Sequence, residues 1–196
     1  MTISFWSPNV FADLIYKICV VMENLYLTEG MTGTLLDLSE EKNHRQTLLL
    51  FEKEKRRAAQ TLLFINCGNR KSIGICTILQ QSDIVVIVIP EYKQTALETF
   101  YNQMPIRANK ILYFLDYIPD QTIQTQHIEY GIIPYNPFFL KAYERGQLAR
   151  YMKKNSSTAE FATNEWFLKE LKNTMTLLKG AMRNAREKET NYERSI

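Results

Sequence analysis

Glycine is scarce in this chain and missing where a phosphate loop would need it: seven occur in 196 residues, and none precedes Gly30. A loop that cradles phosphate uses glycines to turn tightly, to adopt positive φ and to aim several N–H groups at the anion, with a lysine close behind. The first strand-to-helix turn, Ser7-Pro8-Asn9-Val10-Phe11-Ala12-Asp13, offers none of this. Pro8 has no N–H, and Val10 and Phe11 would crowd a triphosphate. Cysteine is also sparse, and Cys19, Cys67 and Cys76 lie in or beside apolar runs without CxxC spacing, which argues against a disulfide framework or a zinc site. With no signal peptide evident, a reducing cytoplasm is the expected compartment. The two histidines, His44 and His127, fall on different elements with no acid or nucleophile in register, and exposed positions are expected for both. The longest aliphatic run, Ile84 to Ile89, ends at Pro90, whereas a membrane span needs about 20 residues.

What the chain does have is apolar content of 45%, enough for one well-packed domain, taken as residues 1–185 with a frayed basic tail over 186–196. Charge is uneven. Residues 141–196 hold twelve Lys and Arg against seven Asp and Glu, and the remainder is slightly acidic. The basic residues Lys153, Lys154, Lys169, Lys172, Arg183 and Arg186 are candidates for contact with DNA or acidic membrane if they share a face, although a solvated helix face is the favoured reading.

Short aliphatic runs alternate with longer amphipathic segments, the pattern of βα repeats around a mostly parallel sheet flanked by helices on both faces. Strands are expected at Thr2–Trp6, Thr32–Asp37, Thr61–Asn66, Ile84–Ile89, Lys110–Tyr117 and Gly131–Ile133. Val10 to Thr28 carries Phe11, Leu14, Ile15, Ile18, Val21, Met22 and Leu25 at helical spacing. Further helices are expected at Thr47–Ala59, Ser72–Gln81, Gln94–Gln103, Phe138–Lys154 and Asn164–Ala185. The last has an apolar stripe of Trp166, Phe167, Leu171, Met175 and Leu178.

In order, these segments resemble the ParA/MinD family of deviant Walker ATPases, within the SIMIBI class of P-loop proteins. Ile3-Ser4-Phe5-Trp6-Ser7-Pro8 resembles the strand entering the phosphate loop, and Thr34-Leu35-Leu36-Asp37-Leu38-Ser39 the second strand with its switch-I acidic motif. Leu62-Leu63-Phe64-Ile65-Asn66-Cys67-Gly68 is similar to the Walker B strand. Thr77 to Asp83, leading into Ile84–Pro90, resembles the helix, "aaD" turn and apolar strand that follow it; Ile132-Ile133-Pro134-Tyr135-Asn136 resembles the late "IPyd" segment.

The resemblance implies a P-loop NTPase-like topology, and the departures from it fall on the catalytic positions. A degenerate nucleotide site would lie near Ser7, Pro8, Asn9, Lys17, Asp37 and Asn66. Lys17, the only cation near the expected lysine position, has no glycines around it and reads as a surface residue. Asp37 matches the first switch-I aspartate and reads as the cap of the next turn, while Ser39 replaces the second aspartate. Asn66 replaces the carboxylate that organises magnesium, keeping hydrogen-bonding shape and losing charge. No catalytic residue, cofactor or metal is therefore expected. The resemblance implies a scaffold or localisation partner, TadZ-like or partition-protein-like, serving a bacterial partition, pilus or secretion assembly. Such a protein would be cytoplasmic, recruited to a membrane or cell pole, with a protein partner and a homodimer as candidate associations. The rivals are an ATPase with an unorthodox phosphate loop and a non-specific DNA-binding module using the basic C-terminal arm.

Overall fold

The computed structural model describes residues 1–8, 13–40, 43–58, 60–89, 111–117, 130–134, 136–148, 150–151 and 161–193. Six strands form one parallel sheet: β1 (Thr2–Trp6), β2 (Gly33–Asp37), β3 (Leu62–Asn66), β4 (Ile84–Ile89), β5 (Ile111–Tyr117) and β6 (Tyr130–Pro134). Their order is β2-β3-β1-β4-β5-β6. The expected α/β class and parallel sheet are both present.

Alternation along the strands sorts side chains onto two faces. Ile3, Phe5, Leu62, Phe64, Ile84, Val86, Val88, Leu112 and Phe114 join a front core with α1 (Leu14–Glu29), α4 (Pro137–Glu144) and α5 (Phe161–Glu193). Trp6, Leu63, Ile65, Cys67, Val85 and Ile87 join a back core with α2 (His44–Arg57) and α3 (Ile73–Gln81). Helices occupy both faces because right-handed crossovers require it: the chain moves one way from β1 to β2 and the other way through β3 to β4.

Three short polar devices fix the ends. Asp83, just before β4, accepts the Thr2 backbone N–H at 2.6 Å and the Thr2 hydroxyl at 3.0 Å, tying β4 to the start of β1. Asp83 is thus engaged at the amino edge of the sheet. Asn43 caps α2 through the Arg45 and Gln46 amides, and Asn136 caps α4 through those of Phe138 and Phe139.

Besides α2, which starts at His44 and not at Thr47, two helices differ from expectation. The predicted helix over Phe138–Lys154 breaks after Glu144, where Gly146 takes a φ of 63°. Its N–H donates to the Tyr143 carbonyl and that of Gln147 to Ala142, the paired bonds of a Schellman stop that only glycine makes without strain. At the other end α5 runs past Ala185 to Glu193, so residues 186–193, expected to fray, are helical. The predicted helix at Gln94–Gln103, residues Asn9 to Ala12 and His127 lie outside the described residues.

Phe167, Leu171, Met175, Leu178 and Met182 of α5 are buried in the front core, as the stripe implied, and Trp166 lies outside the described side chains. Phe139 of α4 bridges Phe167, at 4.9 Å between ring centroids, and Tyr16 of α1, at 5.9 Å. At about 2 kcal/mol per buried side chain, the five α5 residues contribute about 10 kcal/mol, comparable with the whole stability of a domain. Truncation after Ser157 is therefore expected to give aggregation or a non-cooperative thermal transition; a soluble truncation with a sharp calorimetric peak would show that α5 is an appendage.

Candidate functional site

In an open parallel sheet, ligands settle outside the carboxyl ends of the strands, where neighbouring strands send their following connections to opposite faces. Here those neighbours are β1 and β3: the chain leaves β1 into α1 on the front and leaves β3 into α3 on the back. Of the residues singled out by sequence, Ser7 follows β1 and Asp37 and Asn66 end β2 and β3, while Asn9 lies outside the described residues.

Internal bonds join the ends of β1 and β3. Ser7, fully buried just past β1, donates its backbone N–H to the Gly68 carbonyl at 3.0 Å, extending the β1–β3 pairing beyond both strands. Trp6 donates Nε1–H to the Arg70 carbonyl at 2.8 Å, which binds the loop after β3 to the end of β1. Gly68 takes a φ of 57°, and a Cβ there would come within 3.0 Å of the Ser39 Cβ, so this position needs glycine for both its conformation and its neighbour.

Asp37 and Asn66 are direct partners in the β2–β3 register. The Asn66 amide donates Nδ2–H to Asp37 Oδ1 at 2.9 Å, and its Oδ1 accepts the Gly68 N–H, also at 2.9 Å. Asp37 Oδ1 further accepts the Ser39 N–H at 3.0 Å, the turn cap expected of it. Both amide ends of Asn66 are engaged, and the side chain is 1% exposed. Sequence reasoning placed Asp37 and Asn66 in one site, and the structure brings them into contact. It missed Trp6 and Gly68, although a glycine directly after an aliphatic strand was a legible signal of a special turn.

Lys17 corrects an expectation. It is 1% exposed on α1 and not a surface residue. Leu14, Lys17, Ile18, Val21, Asn24 and Leu25 step round one helical face and are all buried, so the lysine was on the apolar stripe all along. Pro8 is half-buried beside Ser7, and His44 is exposed as expected.

Behind the sheet, Cys67 is fully buried and its thiol is pushed up to about 12 from the ordinary 9.0, mainly by burial; a hydrogen bond with Ser4 opposes the rise, and the Asp37 charge adds to it. Ser4 in turn shares a 2.5 Å hydrogen bond with Ser82, whose hydroxyl reaches the Ile78 carbonyl. A thiol that ionises near 9 when unfolded and near 12 when folded favours the native state fully below about pH 9, and that contribution falls as pH rises toward 12. Cys19 and Tyr143, hydrogen-bonded between α1 and α4, are both raised, first by burial. None of the three is an activated nucleophile. Among the described residues, no three His, Cys, Asp or Glu side chains are grouped as metal ligands, and no helix is long and apolar enough to cross a membrane.

On α5, Lys169, Lys172, Arg183 and Arg186 are exposed, and at 100° per residue they fall within a sector of about 100°. Lys179 in the same sector pairs with Glu29 of α1. Lys153 and Lys154 lie outside the described residues.

Replacing Asn66 by aspartate sets two carboxylates against each other where an amide now donates. Asn66→Asp is expected to lose about 2 kcal/mol at neutral pH in urea unfolding, with most of the deficit recovered at acidic pH, where one carboxyl carries a proton. A deficit independent of pH would place the two side chains out of contact.

A scan against protein-family models and a search of curated proteins both return no match for this chain.

Proposed function

We propose that this chain is a non-catalytic ParA/MinD-like protein with P-loop NTPase-like topology, acting as a scaffold or localisation partner in a bacterial partition, pilus or secretion assembly. The observation that carries the reading is the internal bonding at the carboxyl ends of β1, β2 and β3, with the Ser7 N–H on the Gly68 carbonyl and the Asn66 amide on Asp37. The strand order supports it by setting β1 and β3 side by side with diverging connections, where a nucleotide would enter if the loop allowed one.

Chemistry points the same way. Phosphoryl transfer depends on a metal, a cradle of donors and a positioned base. Here the carboxylate position holds Asn66, whose amide is already bonded on both sides, and the turn after β1 contains Pro8 and no glycine. A domain with this layout retains surfaces for protein partners without turning over nucleotide, and fold alone does not demand an activity. The partner, in this reading, is a protein of the assembly that the chain helps to place at a membrane or cell pole.

Titration calorimetry of the purified chain with ATP and magnesium is expected to register no binding. A dissociation constant in the low micromolar range would overturn the reading in favour of an ATPase with an unorthodox loop.

A further inference from the structure

The basic residues of α5 lie along one line. Lys169, Lys172, Thr176, Lys179, Arg183 and Arg186 follow one another at alternating steps of three and four residues, and all but the half-buried Lys179 are exposed. A line of that period drifts only about 20° per heptad on an α-helix, so these side chains form a nearly straight seam about 26 Å long. Glu187, at the rim of the seam, is the only acid in that sector among the described side chains.

The rest of the helix is committed elsewhere. Phe167, Leu171, Met175, Leu178 and Met182, its apolar face, are buried in the front core. One carboxylate already sits on the seam: Lys179 pairs with Glu29, the last residue of α1. A carboxylate carried on a neighbouring helix therefore has the reach and the chemistry to engage this line.

We infer that the α5 seam docks an acidic α-helix of a partner protein, lying alongside it with carboxylates at the same steps of three and four residues. Charge sets the sign of the partner, and spacing sets its shape. A second helix rises by the same amount per residue, about 1.5 Å, so its carboxylates stay opposite the cations along the whole seam at a shallow crossing angle. An extended acidic chain presents same-side carboxylates about 6.7 Å apart and falls out of step with cations that average about 5.3 Å along α5. A duplex phosphate strand winds once in about 34 Å and leaves a straight seam well before its end. Helices that lie on a membrane need an apolar face to sink into it, and that of α5 is taken up by the core. The inference gives the protein partner of the proposed function a chemistry, and it rests on that reading only for there being such a partner.

Fluorescence anisotropy of labelled peptides titrated with the full chain tests the seam, at about 50 mM salt, where surface charges are weakly screened. The probes are two alanine-rich peptides of one composition, one with glutamates at alternating steps of three and four residues and one with them at every second position. The stepped peptide is expected to bind at least about tenfold more tightly than the other and to gain helical circular dichroism on binding. Lys172→Glu combined with Arg183→Glu, both on exposed side chains, is expected to weaken that binding at least about tenfold. Should this variant misfold, Lys172→Gln combined with Arg183→Gln, which removes charge without reversing it, is expected to weaken binding at least about threefold. Equal affinity for the two peptides, no binding of either, or binding untouched by a folded charge variant overturns the inference. So does tighter binding of a DNA duplex, or of phosphatidylglycerol vesicles, than of the stepped peptide. The assay contains no nucleotide, so failure here leaves the calorimetric test of the proposed function standing.

Discussion

The hydrogen bond from the Ser7 N–H to the Gly68 carbonyl, 3.0 Å long, is the constraint on which the carboxyl edge of this sheet depends. It carries the central β1–β3 pairing one step beyond the strands and fixes Gly68 at positive φ. Gly68 in turn donates to Asn66, and Asn66 donates to Asp37. Three consecutive strands of the sheet, β2, β3 and β1, are thereby joined at their ends by one chain of hydrogen bonds. A ligand entering between β1 and β3 would have to replace those bonds with its own, and buried donors left without partners each cost about 1–3 kcal/mol.

In the proposed reading, that network is how an α/β domain keeps the layout of a binding fold without its site. The first turn contains Pro8 and no glycine, and the Ser7 N–H at its start is satisfied internally, as buried backbone groups must be. Asn66 suits this task better than a carboxylate would, because an amide both donates to Asp37 and accepts from Gly68. The buried Cys67, Ser4 and Ser82 on the back face are likewise occupied with each other and with the sheet.

Much of the fold was legible because its strands are aliphatic and its turns are punctuated. β1 and β4 match the expected bounds, and the other four strands differ only at their ends. Ser72, predicted as the start of α3, is its cap, and the Phe167–Leu178 stripe is buried. The break at Gly146 was missed because Phe138 to Lys154 keeps helical spacing; the positive φ of one glycine decided against it. Of the site, Asp37 and Asn66 were found from strand-end positions, and their contact follows from register, which needs the strand order. The burial of Lys17 was hidden by residue type: its position matched the apolar stripe, and its charge argued for the surface.

The central claim is that the carboxyl ends of β1 and β3 are bonded to each other with no opening for nucleotide, and the amide of Ser7 reports on it most directly. Residue-resolved hydrogen exchange is predicted to show Ser7 N–H protected to the same degree as the β1 and β3 core amides, with its exchange and chemical shift unchanged when ATP and magnesium are added. A Ser7 amide that exchanges freely, or that shifts on addition of nucleotide, would contradict the account.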